Sequence, residues 1–407
     1  MSDSTDVSTV WEALVRGGGR IVYLVLDGVG GLRDGILGKT ALEAARMPNL
    51  DELAPAAACG LLEMVGPGIT PGSGPGHLAL FGYDPLHYRL GRGLLSAAGI
   101  EFDLREGDVA ARVNFATFDT EGRVTDRRAG RISSETNRRL CARLRESVQL
   151  DFDGEWFLET VAGHRAVLVL RGDGLAGDVG DTDPQEEGLP PAEPEALTGQ
   201  AQASAELARS FAGKARSVLA DEQQANGVLL RGFGRHAPLP SLASRFGLRG
   251  LCIARYPMYR GLSRLLGLEV AAAPDTLEGV FDTLSARFGD GHDFCFVHVK
   301  GTDTRGEDGD FEGKVAVLEA VDRLLPRLLE LRPDVLVVTA DHSTPASLSG
   351  HSWHPVPLMI QSASARADGI GHFDEYACRG GGLGLRPGLH LMGLALAHAG
   401  RLRKFGA

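Results

Sequence analysis

Ser73 stands between two glycines in Ile69-Thr-Pro-Gly-Ser-Gly-Pro-Gly-His77, a stretch whose prolines and glycines forbid regular structure. Such a turn lets the backbone approach a ligand closely and leaves the hydroxyl uncovered. Pro75 suits the first position of a helix. Ser73 is therefore expected just before a helix N-terminus, where unpaired N–H groups favour a phosphate or another developing anion. Taken alone, this hydroxyl serves equally well as a nucleophile or as a helix cap. What tips the balance lies elsewhere in the chain: Asp27, Asp303 with Glu307, Asp341 with His342, and then His351 and His354. Mixed carboxylate and imidazole donors suit Mn²⁺ or Zn²⁺, and Mg²⁺ less well. Two such ions close together would lower the pKa of a bound hydroxyl and clamp the oxygens of an in-line phosphoryl transfer. Any one of these acids alone is an ordinary cap; their common placement at strand exits points to a dimetal site, with Ser73 as an activated nucleophile.

The elements that must gather these residues are legible as apolar runs. Ile21–Leu26 is continuous and apolar, as a buried parallel strand should be, and it ends abruptly at Asp27. Phe294–Val299 leads into Gly301–Asp310, and Val335–Thr339 leads into Ala340-Asp-His-Ser-Thr-Pro345. Parallel strands place their carboxyl ends on one edge, the edge where open α/β sheets bind ligands. Further strands are expected at Val228–Leu230, Leu251–Ala254 and Leu358–Ile360, and helices at Thr40–Leu53, Tyr259–Leu266, Asp275–Arg287 and Phe311–Leu331. The middle of the chain differs in character. It has an alternating strand near Asp108–Thr117, a basic run Arg123–Arg131, a helix at Ser134–Arg145, a strand at Ala166–Leu170, a Gly/Pro-rich loop at Gly172–Ala196 and a helix at Thr198–Leu219. The pattern predicts an α/β protein with a doubly wound, mostly parallel sheet built from residues 1–85 and 225–407, and an inserted α+β cap over 86–224.

Two nucleotide-binding motifs nearly match and are rejected. Gly28-Val-Gly30 lacks a third glycine because Arg33 stands in its place, and Gly38-Lys39-Thr40 lacks its upstream glycine for the same reason. A net charge of −11 argues against broad nucleic-acid or anionic-membrane binding. No apolar run is long enough to span a bilayer, and residues 1–10 lack the pattern of a signal peptide. The five cysteines are scattered and odd in number, so they read as thiols of a reducing cytoplasm, which is the expected location. Of the 42 basic residues only five are lysines, at 39, 214, 300, 314 and 404. A phosphate or carboxylate substrate would therefore be gripped mainly by bidentate guanidinium groups.

Several segments together carry a resemblance: Leu26-Asp-Gly-Val-Gly30, Gly72-Ser-Gly-Pro-Gly-His-Leu-Ala-Leu-Phe-Gly-Tyr-Asp-Pro85, Arg112-Val-Asn-Phe-Ala-Thr117, Asp126-Arg-Arg-Ala-Gly-Arg-Ile132, Lys300-Gly-Thr-Asp303, Thr339-Ala-Asp-His-Ser-Thr-Pro345 and His354-Pro-Val-Pro357. The chain resembles the archaeal-type cofactor-independent phosphoglycerate mutases of the alkaline phosphatase superfamily, over nearly its whole length. The resemblance implies that Ser73 takes the phosphoryl group from 3-phosphoglycerate and returns it to the 2-position, without bisphosphoglycerate, in glycolysis and gluconeogenesis. It implies two divalent ions, Mn²⁺ first, with Mg²⁺, Co²⁺ or Zn²⁺ as alternatives. Asp27, Ser73, Asp341 and His342 match the ligands of one ion, and Asp303, residue 307 and His351 those of the other. Position 307 departs from the pattern, because a histidine is usual there and this chain has Glu307; Asp308, Asp310 or His354 are alternatives. Arg112, Arg128 and Arg131 are the candidates for holding the substrate's phosphate and carboxylate, and His164 and Asp181 for orienting the glycerate or moving a proton. His298, on an apolar strand, reads as a satisfied core histidine.

The same residues also fit two other readings. A phosphatase or phosphonate-processing enzyme would share the nucleophile and metals and differ only in the cap. A non-enzymatic binder of phosphorylated metabolites would explain the Glu307 departure.

Overall fold

The structure is a computed structural model that describes residues 7–406; the polar opening 1–6 lies outside the described residues. The strands are β1 (Ile21–Leu26), β2 (Ala58–Glu63), β3 (Val109–Phe118), β4 (Val124–Asp126), β5 (Gly154–Ala162), β6 (Arg165–Gly172), β7 (Gly227–Arg235), β8 (Gly250–Ile253), β9 (Glu269–Val270), β10 (Phe294–Val299), β11 (Val335–Thr339), β12 (Val356–Ser362) and β13 (Gly384–Pro387). They form two sheets in two compact units. One unit comprises residues 1–88, 240–256 and 266–407, and the other residues 89–239 and 257–265.

The first unit holds an eight-stranded, mostly parallel sheet in the order β13-β2-β12-β11-β1-β10-β8-β9. Every residue of β1, β10 and β11 is buried, which is why these strands read as unbroken apolar runs. β1 runs parallel to both neighbours, with Leu26 beside Val299 and Val25 beside Thr339. That register sets the site, because it delivers Asp27, Lys300 and Asp341 to one edge of the sheet. The chain passes from β10 to β11 across β1, so this edge is also the place where the strand order reverses. β12 is the exception to the parallel rule and pairs antiparallel with β11 and β2.

The second unit holds a five-stranded antiparallel sheet, with β3 between β6 and β7 and with β4 and β5 outside. One face packs Val113, Leu168 and Leu230 against Leu140 and Phe211, which come from the helices Ser134–Ser147 and Gln202–Val218. The other face packs Val167 and Val169 against Leu94 and Ala97 of the helix Arg92–Gly99.

Several placements differ from the sequence expectations. β7, assigned by alternation to the returning sheet, pairs instead with β3 along most of its length. The helix Pro257–Leu265 also groups with the second unit. The segment 225–239 therefore leaves the expected 225–407 portion, and the return falls at Pro240. The strands β2, β4, β5, β9 and β13 have no counterpart among the expected elements, and β5 shows why. It is an edge strand in which only Leu158 is buried, so its alternation of apolar and polar residues is weak.

Candidate active site

Ser73 opens the helix Ser73–Leu80 as its first residue, with Gly72 in the capping position and no side-chain capping bond. The helix thus begins two residues earlier than Pro75 suggests. A proline in that first turn is tolerated because the first four N–H groups of a helix have no partner within it. The Ser73 hydroxyl is consequently free of capping work and stands 3.1 Å from His342 Nε2. Close packing puts it there. Gly76 lies where a Cβ would sit 2.2 Å from the Asp341 carbonyl, so only glycine lets this helix approach the end of β11. Gly28 is similar: its φ is +63°, and a Cβ would meet Thr344 Oγ1 at 2.4 Å and Asp303 Oδ1 at 2.7 Å.

Asp27, Asp303, Asp341 and His342 are fully buried and converge around that hydroxyl. Ligand-capable atoms of Asp27, Asp341 and His342 lie within 4.8 Å of one another, and so do those of Asp303, His342 and His351. His342 thus belongs to both groups, and its ring stacks on that of His351 with centroids 3.7 Å apart. Glu307 stands further out. Its side chain is 55% exposed and its Oε1 is 3.7 Å from His351 Nε2. Of the other acids considered for that position, Asp310 is committed as a helix cap, accepting from Gly313 N at 2.8 Å and from Arg305 at 2.9 Å. His354 stacks on Trp353, its Nδ1 is 3.0 Å from Ser352 Oγ, and it joins neither group.

Hydrogen bonds fix the imidazole tautomers. Thr344 Oγ1 donates to Asp303 Oδ1 at 2.6 Å, so it accepts from His342 Nδ1 at 3.0 Å. His342 Nε2 is then a lone pair, facing Ser73 Oγ, Asp341 Oδ2 at 3.2 Å and Asp27 Oδ1 at 3.4 Å. His351 Nδ1 donates to the Pro71 carbonyl at 3.0 Å, which turns its Nε2 toward Asp303 Oδ1 at 3.5 Å. Lone pairs from acids and imidazoles thus face one another in a buried space. Acceptors gathered this closely repel one another, and a cation is what such a donor set fits.

Three residues to which the sequence assigns no site role complete the arrangement. Lys300 Nζ donates to Asp303 Oδ2 and lies 3.2 Å from Asp27 Oδ2. Burial works against its charge, but the Asp27 and Asp303 carboxylates outweigh this and raise its pKa. Asp27 is pulled up by burial, yet Lys300 and then His298 hold it well below the usual carboxylate range. His298 is buried on β10, and its Nε2 lies 3.0 Å from Asp27 Oδ2, so it orients a site acid. His77 Nδ1 lies 2.8 Å from the Ser73 carbonyl and 3.1 Å from Asp341 Oδ2. Burial lowers the pKa of His342, and the nearby carboxylates only partly offset it, so the ring is neutral.

In the second unit, Arg112 projects from β3, its Nε donating to Ser96 Oγ at 3.3 Å. His164 is buried at the β5–β6 turn. Burial, helped by the charges of Arg165, Arg128 and Arg112, pushes its pKa down to about 4. Those three arginines and His164 therefore share one electrostatic environment. Arg128 and Arg131, with Arg127, line an open cavity of about 730 Å³. The loop under it is strained: Ala129 and Arg131 have φ of 48° and 56°, held by Asp126, which accepts from Arg128 N and Gly130 N. Asp181 lies apart from His164 in its contacts. It accepts from Gly232 N at 2.6 Å, next to an ion-paired cluster in which Arg127 and Arg231 share Asp183.

Comparison with known proteins gives one consistent result. Residues 54–225 match a family model described as 2,3-bisphosphoglycerate-independent phosphoglycerate mutase. A probable 2,3-bisphosphoglycerate-independent phosphoglycerate mutase of Thermus thermophilus is 50% identical over 391 residues, covering 95% of this chain and 96% of that protein. The Deinococcus radiodurans protein of the same description is 47% identical over 414 residues, covering both chains fully. Among solved structures, a cofactor-independent phosphoglycerate mutase from Thermoplasma acidophilum is 30% identical with a TM-score of 0.66, covering 93% of this chain and all of that one. A Pyrococcus horikoshii protein superimposes with a TM-score of 0.82 at 26% identity, over 96% of this chain and all of that one.

Proposed function

This chain belongs to the 2,3-bisphosphoglycerate-independent phosphoglycerate mutase family, and on that footing we propose that Ser73 is the atom-carrying centre of its phosphoryl transfer. The chain is an isomerase that interconverts 3-phosphoglycerate and 2-phosphoglycerate. Ser73 Oγ forms a bond to the phosphorus as the bond to the glycerate 3-oxygen breaks. The 2-hydroxyl of the same glycerate then takes the phosphoryl group back. The proton lost by Ser73 in the first half matches the one gained by the glycerate 3-oxygen, and the second half reverses this. No water is consumed, so hydrolysis of the phosphoserine is the side reaction to be excluded. The observation that carries this reading is the Ser73 hydroxyl, which makes no capping bond and stands 3.1 Å from the Nε2 lone pair of a neutral, buried His342.

Asp27, Asp341 and His342 with Ser73 would hold one divalent ion, and Asp303 and His351 with Glu307 the other, His342 lying between them. Mn²⁺ suits this oxygen-rich donor set with imidazoles, as do Mg²⁺, Co²⁺ and Zn²⁺ to differing degrees. Bound there, the ions would neutralise charge on the transferring phosphoryl group and lower the pKa of the serine hydroxyl. Lys300 supplies a fixed positive charge beside Asp27 and Asp303. Arg112, Arg128 and Arg131 bind the substrate's carboxylate and phosphate, and neutral His164 among the arginines accepts a hydrogen bond from the glycerate. Asp181 orients the glycerate only through the Arg231 cluster beside it. The second unit is thus the substrate-binding insertion and the first the metal-binding core. All five cysteines are buried and in no disulfide, which supports a cytoplasmic location, and the interconversion is a step of glycolysis and gluconeogenesis.

The test is turnover of 3-phosphoglycerate with no bisphosphoglycerate present. EDTA should abolish it and Mn²⁺ restore it, with 2-phosphoglycerate as product. Equal rates with and without chelator, or release of free phosphate at the rate of turnover, would count against the reading.

A further inference from the structure

Lys314 lies in the first turn of the helix Phe311–Leu329 and is 1% exposed, although no motif in the sequence singles it out. A buried ammonium needs partners for its three protons. Here they are backbone carbonyls: Gly28 O at 2.8 Å, Thr344 O at 2.8 Å and Gly30 O at 3.4 Å. Gly28 and Gly30 follow Asp27 at the exit of β1, and Thr344 follows Asp341 and His342 at the exit of β11. The same two loops meet directly, since Thr344 N lies 3.1 Å from Gly28 O and 3.0 Å from Gly30 O, and Gly28 N donates to Asp341 Oδ1 at 3.2 Å. From the other side Glu375 accepts from Gly31 N at 2.7 Å and from Thr40 Oγ1 at 2.8 Å.

We infer that Lys314 is a positioning residue for the reaction: by gripping carbonyls from both loops it sets the spacing of Asp27 against Asp341 and His342. A side chain kept only for stability would not need three polar contacts divided between two strand exits. An apolar residue of that volume would fill the space at less desolvation cost. The inference rests on the reading of Asp27, Asp341 and His342 as metal ligands.

The experiment compares Lys314→Met with Leu318→Ala in the full-length chain after metal removal. Leu318 is a fully buried apolar residue one turn further along the same helix, so its truncation leaves the Lys314 ammonium and its three carbonyls in place and reports the cost of a core cavity. Mn²⁺ is titrated calorimetrically, and kcat and KM for 3-phosphoglycerate are measured on the same samples. Lys314→Met should weaken Mn²⁺ binding by about 10- to 100-fold and lower kcat by a similar factor, with KM changed by less than about threefold. Leu318→Ala should lower Tm and leave the Mn²⁺ affinity in place. If the methionine variant does not fold, Lys314→Gln, which keeps a shorter donor, carries the same expectation. A shift in Mn²⁺ affinity below about threefold overturns the inference, as does an equal shift in Leu318→Ala or a failure of both Lys314 variants to fold. A wild-type chain that binds no Mn²⁺ overturns the ligand reading as well, whereas normal wild-type binding with an unshifted variant overturns this inference alone.

Discussion

Thr344 Oγ1 lies 3.0 Å from His342 Nδ1 and, with its own proton committed to Asp303 at 2.6 Å, holds that imidazole as the tautomer whose Nε2 lone pair faces Ser73. One hydroxyl thereby links an acid of one group to the imidazole that both groups share. Thr344→Val keeps the shape and removes both bonds. Turnover should fall by about 10- to 100-fold with KM nearly unchanged, and Thr344→Ser should recover most of it. Steady-state kinetics on the two variants decides this; equal activity of valine and wild type would refute the tautomer argument.

Glu307 and Asp303 should not be equivalent. Asp303 is fully buried and bonded to Thr344 and Lys300, whereas Glu307 is half exposed and approaches His351 at 3.7 Å. Asp303→Ala is therefore expected to cost about 10³-fold or more in kcat, and Glu307→Ala about tenfold or less. Glu307→His should tighten binding of the second ion, read as a second, stronger phase in a Mn²⁺ titration. Loss of all turnover in Glu307→Ala would show that this glutamate carries more of the site than its exposure suggests.

His164 gives a pH dependence with a definite sign. Its folded pKa, about 4, lies below the 6.5 of an unfolded chain, because burial and neighbouring arginines disfavour the imidazolium. The unfolded chain therefore takes up the proton first as pH falls. The stabilisation is complete above about pH 6.5 and declines between about 6.5 and 4. Tm should drop across that window, and His164→Gln should flatten that part of the profile. An unchanged slope in the variant would assign the loss to other groups.

Much of the sheet could be read from the chain because β1, β10 and β11 are buried on both faces, and burial on both faces writes itself as unbroken apolar sequence. The site acids were legible for the same reason, since each follows such a run. Lys300, Lys314, His77, His298 and Thr344 were not, because their roles are set by what faces them across the register, and no spacing encodes that. One signal did exist: the chain has only five lysines, and two of them, Lys300 and Lys314, are drawn into this site. β7 was misplaced because its apolar pattern suits either sheet, and only its pairing with β3 distinguishes them. Ser73 sits inside the helix because Gly72 supplies the extended capping residue, a task a proline-based rule assigned two residues later.

The central claim is that Ser73 carries the phosphoryl group, and acid quenching during turnover tests it most directly. Protein mixed with Mn²⁺ and 3-phosphoglycerate, quenched and digested, should yield a peptide spanning Ser73 that bears one phosphoryl group on that serine. Ser73→Ala should lack this adduct, lose at least about 10³-fold in kcat and remain within about 1 kcal/mol of wild-type stability, because no capping bond is lost. A Ser73→Ala variant that still interconverts the two phosphoglycerates at near wild-type rate, or a phosphoryl group trapped on a different residue, would contradict the account.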